Sequence, residues 1–124
     1  MTQPVALITG CSSGIGRALA DAFQAAGYCV WASARKAEDL AALSAAGFTA
    51  VQLDVNDGLG LGRLAERMQA EIGGLDVLIN NAGYGAMGPL LDGGVQAMRQ
   101  QFETNVFAVV GVTRAMFPLL RRSR

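Results

Sequence analysis

The sequence contains no histidine, only one lysine and only two cysteines, and each scarcity excludes a class of chemistry. Without imidazole, the chain cannot form a Ser-His-Asp hydrolase triad or a histidine-ligated zinc site. Cys11 and Cys29 have neither the spacing of metal ligands nor the density of a disulfide scaffold, so both are predicted to be reduced thiols. A charge excess is also missing, because ten basic residues balance ten acidic residues. No net charge therefore attracts nucleic acid or an anionic membrane.

Long apolar runs and a basic leader are absent as well. The first apolar run is only Val5–Ile8, far shorter than the roughly 20 residues that span a bilayer. We therefore expect no export, no membrane insertion and a cytoplasmic location. The single basic cluster comprises Arg121, Arg122 and Arg124, which follow an apolar segment. We predict that this cluster interacts with the C-terminal dipole of a helix rather than with nucleic acid.

Apolar residues make up 52% of the chain, which is ample for one domain with a buried core across residues 1–124. Short apolar runs alternate with segments of helical apolar spacing. Strands are predicted at residues 5–8, 28–34, 50–53 and 75–79, and helices at 15–26, 38–46 and 61–72. This alternation implies βαβ crossovers and hence an α/β fold, a doubly wound parallel sheet.

The last third of the sequence follows a different pattern. A glycine-rich loop is predicted at 83–94, and a helical segment from about Val95. Within it, residues 106–117 are apolar on nearly all sides, which is typical of a buried helix. The fourth strand is expected to be an uncovered edge, and the helix at 106–120 is expected to lack partners.

Residues 9–16, Thr-Gly-Cys-Ser-Ser-Gly-Ile-Gly, lie between the first predicted strand and the first helix. At that position, backbone N–H groups and the helix dipole can bind a pyrophosphate. Gly10 allows a tight turn, Gly14 lets the backbone approach the phosphates, and Gly16 lets the helix pack closely on the strand. Ser12 and Ser13 can contact phosphate or cap the helix, and both alternatives stay open.

Polar residues also follow the third and fourth predicted strands. Asp54 ends the third, and Asn80 and Asn81 end the fourth. Because the carboxyl ends of parallel strands form the ligand crevice of an open α/β sheet, we predict that Asp54 and Asn81 contact a cofactor. Asn80 is interpreted as structural. The alternative for all three is an ordinary turn, in which such side chains bind nearby backbone.

The second predicted strand ends in Ser33-Ala34-Arg35-Lys36, where a site for NAD usually carries an acidic residue. Arg35 can bind a ribose 2′-phosphate with charge-assisted hydrogen bonds, so NADP is favoured over NAD. Nearby Glu38 or Asp39 keeps NAD as an alternative. Arg35 and Lys36 can also simply solvate the start of a surface helix.

Taken together, these motifs resemble the short-chain dehydrogenase/reductase family. The segment 9–16 resembles its cofactor loop, Leu53-Asp54-Val55 its adenine-contacting segment, and residues 76–83 its Asn-Asn-Ala-Gly strand end. The resemblance covers essentially the whole chain and implies a Rossmann-type sheet, truncated after about four strands. It also implies a homo-oligomer in the intact protein. The implied cofactor site comprises Gly10, Ser12, Ser13, Gly14, Ile15, Gly16, Arg35, Asp54, Val55, Asn81, Ala82 and Gly83.

The resemblance also indicates what these 124 residues lack. Family members use a Ser on the fifth strand and a Tyr-x-x-x-Lys pair, but the only lysine here is Lys36, and it does not follow Tyr28 or Tyr84 at that spacing. Asn105 matches a supporting residue of the catalytic group, and Tyr84 is expected to line the substrate cleft without a catalytic role.

The sequence therefore predicts the NADP-binding portion of an oxidoreductase that transfers hydride to or from alcohol or carbonyl substrates, inactive by itself. One alternative is a non-catalytic dinucleotide-binding or regulatory module that pairs with other subunits. Another is a fold unrelated to redox chemistry that binds a nucleoside-sugar or other ligand.

Overall fold

The computed structural model describes residues 3–84 and 90–123 of the chain. Strands and helices alternate through its first two thirds, and a nearly continuous helical segment follows. The strands are β1 Val5–Ile8, β2 Cys29–Ala34, β3 Thr49–Gln52 and β4 Val77–Ile79. The helices are α1 Gly14–Ala25, α2 Ala37–Ala45, α3 Gly58–Glu71, α4 Leu90–Phe102, a π-helical turn Glu103–Phe107 and α5 Ala108–Leu120.

The four strands form one parallel sheet in the order β3-β2-β1-β4. Helices cover both of its faces. Alternate residues along the strands accordingly belong to two different hydrophobic clusters, one on each face of the sheet. Leu7 and Trp31 pack with residues of α3 and α5, whereas Ile8 and Ala32 pack with residues of α1 and α2. The predicted doubly wound α/β architecture is confirmed.

The two-sided burial explains why the strands are short apolar runs without polar alternation. All four residues of β1 are buried, as are five of the six residues of β2. Each large apolar side chain buried in this way contributes about 1.5–3 kcal/mol relative to an exposed one. The carboxyl ends of β1 and β2 are thereby held rigidly in the middle of the sheet.

The fourth strand begins at Val77, two residues later than the sequence predicts. Asp76 instead leads into it: its carboxylate accepts a 2.8 Å hydrogen bond from the Val5 N–H, and its own N–H donates to the Val5 oxygen. The N–H of Leu75 donates to the oxygen of Leu119, at the end of α5. These contacts align the start of β4 with β1.

The C-terminal helices correct three expectations. Helix α4 begins at Leu90, inside the region predicted as a loop, and is interrupted only at Gly94, where φ is +62°; residues 85–89 lie outside the described part. Helix α5 does not lack partners, since Val112 and Met116 on one face are buried against α3. It is not buried all round either, because Phe117 on the other face is 54% exposed.

The C-terminal basic cluster follows α5 directly. Arg121 caps the helix, and its N–H donates a 3.0 Å hydrogen bond to the Phe117 oxygen. Its guanidinium lies 5.9 Å from the centre of the Phe117 ring. The last turn of α5 itself contains no basic residue, so the predicted interaction of the cluster with the helix dipole stays a prediction. Arg124 lies outside the described residues.

Candidate functional site

A cleft of about 440 Å³ opens at the carboxyl ends of the strands. Every residue of the predicted cofactor site except Gly14 and Gly16 lines it, and these two lie in the first turn of α1 beside it. The cleft is lined by Gly10, Ser12, Ser13, Ile15, Ala34, Arg35, Leu53, Asp54, Val55, Asn56, Asn81, Ala82, Gly83, Tyr84 and Thr104. Residues far apart in the sequence therefore meet at the crevice that a doubly wound sheet provides.

The Thr9 side chain joins the segment after β4 to the end of β1 by hydrogen bonds. Its hydroxyl oxygen is buried and accepts hydrogen bonds of 3.0 Å from the backbone N–H groups of both Asn81 and Ala82. The Asn81 side-chain amide donates a further 3.0 Å bond to the Gly10 oxygen. The segment after β4 and the glycine loop are thus held together as one wall of the cleft.

Ser33 joins the end of β2 to the glycine loop in a similar way. Its side-chain oxygen accepts a 3.2 Å hydrogen bond from the Gly10 N–H, and its backbone oxygen accepts a 2.8 Å bond from the Cys11 N–H. Sequence reasoning missed the roles of Thr9 and Ser33, although a signal exists. Each is a single hydroxyl at or near the end of a buried apolar strand, and a buried hydroxyl needs a hydrogen-bond partner.

The three glycines of the loop have distinct geometries. Gly10 has a φ of +69°, and a Cβ there would lie 2.9 Å from Ala82 Cα, so the turn requires glycine. A Cβ at Gly16 would overlap the Gly10 carbonyl oxygen, which shows that α1 packs directly on the turn. Gly14 also has a positive φ, of +62°, but a Cβ there would meet only open space. That space is where the backbone of α1 can be approached from outside.

The N-terminus of α1 faces this space without a capping side chain. Ser13 is the N-cap residue, with extended backbone, but its hydroxyl makes no capping hydrogen bond. The first turn of α1 also contains no acidic residue. The capping role considered for Ser13 is therefore wrong, and its hydroxyl and that of Ser12 are exposed beside the positive end of the helix dipole.

Arg35 follows β2 and is exposed at the cleft. It also borders a groove of about 510 Å³ that runs beside α3. Lys36 is the N-cap residue of α2, and Glu38 and Asp39 occupy the first turn of that helix, where acidic side chains stabilise its dipole. Neither carboxylate is among the residues that line the described cleft.

Asp54 is exposed after β3 and begins a short chain of hydrogen bonds. Its carboxylate accepts a 2.9 Å bond from the backbone N–H of Asn56. The Asn56 side-chain amide in turn donates a 2.9 Å bond to the Thr104 hydroxyl oxygen in the π-helical turn. The loop after β3 is thereby joined to the C-terminal helices across the edge of the cleft.

Asn105 holds the segment that carries Tyr84. Its side-chain oxygen accepts a 2.9 Å hydrogen bond from the Tyr84 N–H, and its amide donates a 2.6 Å bond to the Tyr84 oxygen. A Cβ at Gly83 would lie 2.8 Å from that same Asn105 oxygen. Asn105 itself lies in the π-helical turn, within the continuous helical segment. Tyr84 is 44% exposed and lines the cleft.

Comparison with known families identifies the family to which the chain belongs. Residues 4–124 match the family described as short chain dehydrogenase. The chain belongs to the short-chain dehydrogenase family. The predicted family resemblance is thereby confirmed, and the Rossmann-type fold with it.

Relatives of this short-chain dehydrogenase chain include proteins whose names state a cofactor. It is 37% identical to an NADPH-dependent 3-dehydrocapnine reductase of Ornithobacterium rhinotracheale, covering 96% of this chain and 44% of that protein. A short-chain dehydrogenase structure from Streptomyces avermitilis matches with a TM-score of 0.88 and 40% identity, covering 96% of this chain and 45% of that one. The RhlG/NADP active-site complex of Pseudomonas aeruginosa matches with a TM-score of 0.86 and 35% identity, covering 97% and 49%. The chain thus spans less than half the length of each.

Cys11 lies within the glycine loop, but its environment does not favour reactivity of the thiol. Its thiol is buried and donates to the Ile8 oxygen at 3.1 Å. Burial raises the pKa of this thiol to about 11, against smaller lowering effects from the Ser33 backbone hydrogen bond and the Arg17 charge. Cys11 and Cys29 are both free, as the sequence predicts.

The described residues contain no group of three or more His, Cys, Asp or Glu side chains able to hold a metal ion. In the same part of the chain, no helix has the length and apolar character needed to cross a membrane.

Proposed function

We propose that this chain is the NADP-binding portion of a short-chain dehydrogenase/reductase that transfers hydride between NADP(H) and an alcohol or carbonyl substrate. In this proposal residues 1–124 act as a single nucleotide-binding domain. The observation that carries it is the convergence of the glycine loop, Arg35, Asp54 and the 81–83 segment on one cleft of a chain that belongs to the family.

The N-terminus of α1 suits the pyrophosphate of a dinucleotide. The open space at Gly14, the exposed Ser12 and Ser13 hydroxyls and the absence of acidic residues from the first turn all favour an anion there. Ile15 is 73% exposed at the mouth of the cleft, where a bound ligand would cover it.

The adenosine half is assigned to the ends of β2 and β3. Asp54 offers a carboxylate acceptor for the adenine amino group, and Val55 lines the floor of the cleft beside it. Arg35 is exposed where a ribose 2′-phosphate would lie, and a guanidinium binds phosphate with charge-assisted hydrogen bonds. The NADPH dependence of one relative and the NADP complex of another support NADP over NAD.

The nicotinamide half is assigned to Asn81, Ala82 and Gly83. In this arrangement Asn81 acts by fixing the Gly10 turn, while Asn105 fixes the position of Tyr84 and so the end of the cleft. When bound, the nicotinamide ring supplies or accepts the hydride. The 124 residues contain no Tyr-x-x-x-Lys pair, so their part is to bind and orient, and the proton-transferring groups come from outside them.

Titration of the purified protein with NADPH and then NADH, followed by nicotinamide fluorescence, tests this proposal. We expect saturable binding of both, with the tighter binding for NADPH. Absence of binding to either nucleotide would contradict the assignment of the cleft.

A second candidate follows from the missing Tyr-x-x-x-Lys pair, namely a dinucleotide-binding or regulatory module without catalysis. It predicts the same NADPH binding, but no turnover of alcohols or carbonyls by the native gene product. Measuring both on one preparation separates the two candidates.

We also propose that the intact protein is a homo-oligomer. Val95, Met98, Phe102 and Phe107 line an apolar cleft of about 480 Å³ on the outer side of the C-terminal helices, and Val110 on α5 is 66% exposed. Exposed apolar side chains grouped as in this cleft, which Arg99 and Glu103 also line, are typical of a protein interface. Light scattering of the native protein measures its mass; a monomer would contradict this proposal.

The cytoplasmic location stays a prediction.

A further inference from the structure

The groove of about 510 Å³ beside α3 is lined by three arginines. Arg63 and Arg67 belong to α3, and Arg35 follows β2. The two arginines of α3 do not line the cofactor cleft, so the groove is a separate feature of the molecule. Its volume lies within the range of roughly 300–1,000 Å³ that is usual for small-molecule sites.

The Arg67 guanidinium is fixed in place by two contacts. Its Nε–H donates a 2.6 Å hydrogen bond to the Glu71 carboxylate, one turn further along α3. The guanidinium carbon lies 4.9 Å from the centre of the Trp31 ring, and Trp31 is 2% exposed. Because Nε–H is the donor to Glu71, the two terminal amino groups remain available to a further acceptor. Arg67 therefore loses little side-chain entropy when it binds a ligand.

Arg63 precedes Arg67 by four positions, so both side chains project from one face of α3. Arg63 is exposed, and no ion pair joins it to another residue within the described ranges 3–84 and 90–123. Like charges at this spacing destabilise a helix. An anion bound between the two guanidinium groups removes that repulsion and gives Arg63 a partner.

Two carboxylates also line the groove, but each interacts with its own segment. Asp54 accepts the backbone N–H of Asn56. Asp57 is the N-cap residue of α3, and its carboxylate lies over the first turn, since a Cβ at Gly60 would be 2.7 Å from its Oδ2. A carboxylate there interacts with the positive end of the helix dipole. Neither forms an ion pair with an arginine of the groove, so the three guanidinium groups can bind an external anion.

We propose that this groove binds a small polyphosphate or a phosphorylated small molecule through Arg63, Arg67 and Arg35. A planar guanidinium donates two parallel hydrogen bonds to phosphate oxygens, and three of them in one groove suit a ligand with more than one phosphate group. Arg35 also borders the cofactor cleft. One consequence rests on the proposed function: an anion in the groove competes for the guanidinium assigned to the ribose 2′-phosphate and so weakens NADPH binding.

The test uses Trp31, the only tryptophan of the chain, as a fluorescent reporter beneath Arg67. The probe is inorganic pyrophosphate, compared with orthophosphate and hexaglutamate, and calorimetry gives the dissociation constants. R63Q and R67Q remove the two charges of α3. The matched control is R114Q, which removes an exposed arginine of α5 that does not line the described groove or cleft. G14A obstructs the proposed phosphate position in the cofactor cleft.

We expect pyrophosphate to change the Trp31 emission in a saturable way. R63Q and R67Q should each weaken its binding about three- to tenfold, because each removes a charge-assisted contact that solvent partly screens. R114Q should bind like the parent, and G14A should keep the Trp31 response. Orthophosphate should bind more weakly than pyrophosphate, and hexaglutamate should not saturate. Saturating pyrophosphate should weaken NADPH binding in the parent but not in the R63Q/R67Q double variant.

Unchanged pyrophosphate affinity in both R63Q and R67Q would overturn the inference. An equal loss in R114Q would also overturn it, since only the total charge would then matter. Loss of the Trp31 response in G14A would assign the pyrophosphate to the cofactor cleft and reject the groove. Tighter binding of hexaglutamate than of pyrophosphate would reject a small polyphosphate as the ligand.

The proposed function and this inference fail separately. A parent protein that binds pyrophosphate through Arg63 and Arg67 but binds no NADPH rejects only the proposed function. A parent that binds NADPH but shows no pyrophosphate binding dependent on these two arginines rejects only the groove site.

Discussion

The Thr9 hydroxyl accepts hydrogen bonds from the backbone of Asn81, 72 residues away, and of Ala82 next to it, each at 3.0 Å. One buried oxygen thereby satisfies two N–H groups at the point where the chain leaves β4. The Asn81 side chain extends the connection to the Gly10 oxygen. The position of the segment after β4 relative to the glycine loop therefore depends on two side chains, those of Thr9 and Asn81.

Replacing Thr9 with valine should destabilise the protein by about 2 kcal/mol, because two part-buried N–H groups lose their acceptor. Urea unfolding followed by circular dichroism measures the free energy of unfolding. T9S keeps the oxygen and is the control, expected to stay within about 1 kcal/mol of the parent. Equal stability of T9V and the parent would show that the two bonds contribute nothing.

Alanine at Gly14 and alanine at Gly16 should both destabilise the protein, but to different extents. G14A adds a methyl group to open space, so its cost in stability is limited to the positive φ, about 1–2 kcal/mol. G16A forces a methyl group onto the Gly10 oxygen and should cost more, since backbone must move. We expect G14A to fold but to lose at least about tenfold in NADPH affinity, because the methyl group occupies the proposed phosphate position.

Thermal unfolding and NADPH titration of both variants measure these effects. A G14A protein that binds NADPH as tightly as the parent would contradict the assignment of this space to the pyrophosphate. A G16A protein as stable as G14A would contradict the packing argument.

Removing the Arg35 charge should reduce the preference of the protein for NADPH over NADH. We expect R35A to weaken NADPH by about ten- to a hundredfold, the range of a charge-assisted hydrogen bond, and to leave NADH nearly unchanged. K36A is the matched control, since it removes the neighbouring cation, which does not line the cleft. Fluorescence titrations with both nucleotides measure the ratio of dissociation constants. If K36A loses as much NADPH affinity as R35A, NADPH binding depends on the total positive charge after β2, and the assignment of a specific phosphate contact to Arg35 is contradicted.

The Cys11 thiol should make stability depend on alkaline pH. An unfolded chain releases this proton near the ordinary value of 9.0, whereas burial in the folded protein raises the pKa to about 11. The unfolded state then binds fewer protons than the folded state, so stability falls as the pH rises from 9.0 to about 11 and is unaffected below. The size of the loss is about 2 kcal/mol.

C11S is the control, because serine has no titrating thiol and retains a donor for the Ile8 oxygen. The difference in unfolding free energy between parent and C11S, measured from pH 8 to pH 11, isolates the effect. A constant difference across this range would show that Cys11 ionises equally in both states.

Much of the architecture was predictable from the sequence, because it depends on local patterns. The apolar run at 5–8 became β1 without change, and the helical spacing after Ile15 became α1. The order of strands and helices followed from the same patterns. The boundaries of β4 and α4 did not follow from local patterns, since Asp76 is fixed by Val5 on another strand and α4 begins at Leu90, before its interruption at Gly94.

The sequence by itself determined the alternation of elements and placed Gly10, Arg35, Asp54 and Asn81 at strand ends, since period and turn chemistry are properties of neighbouring residues. Only the tertiary structure decided that Asn81 holds Gly10, that Thr9 and Ser33 join the strand ends, and that Asn56 meets Thr104. It also decided which face of α5 is buried. Hydrogen bonds between distant residues depend on how the helices pack on the sheet, and no local pattern encodes that arrangement.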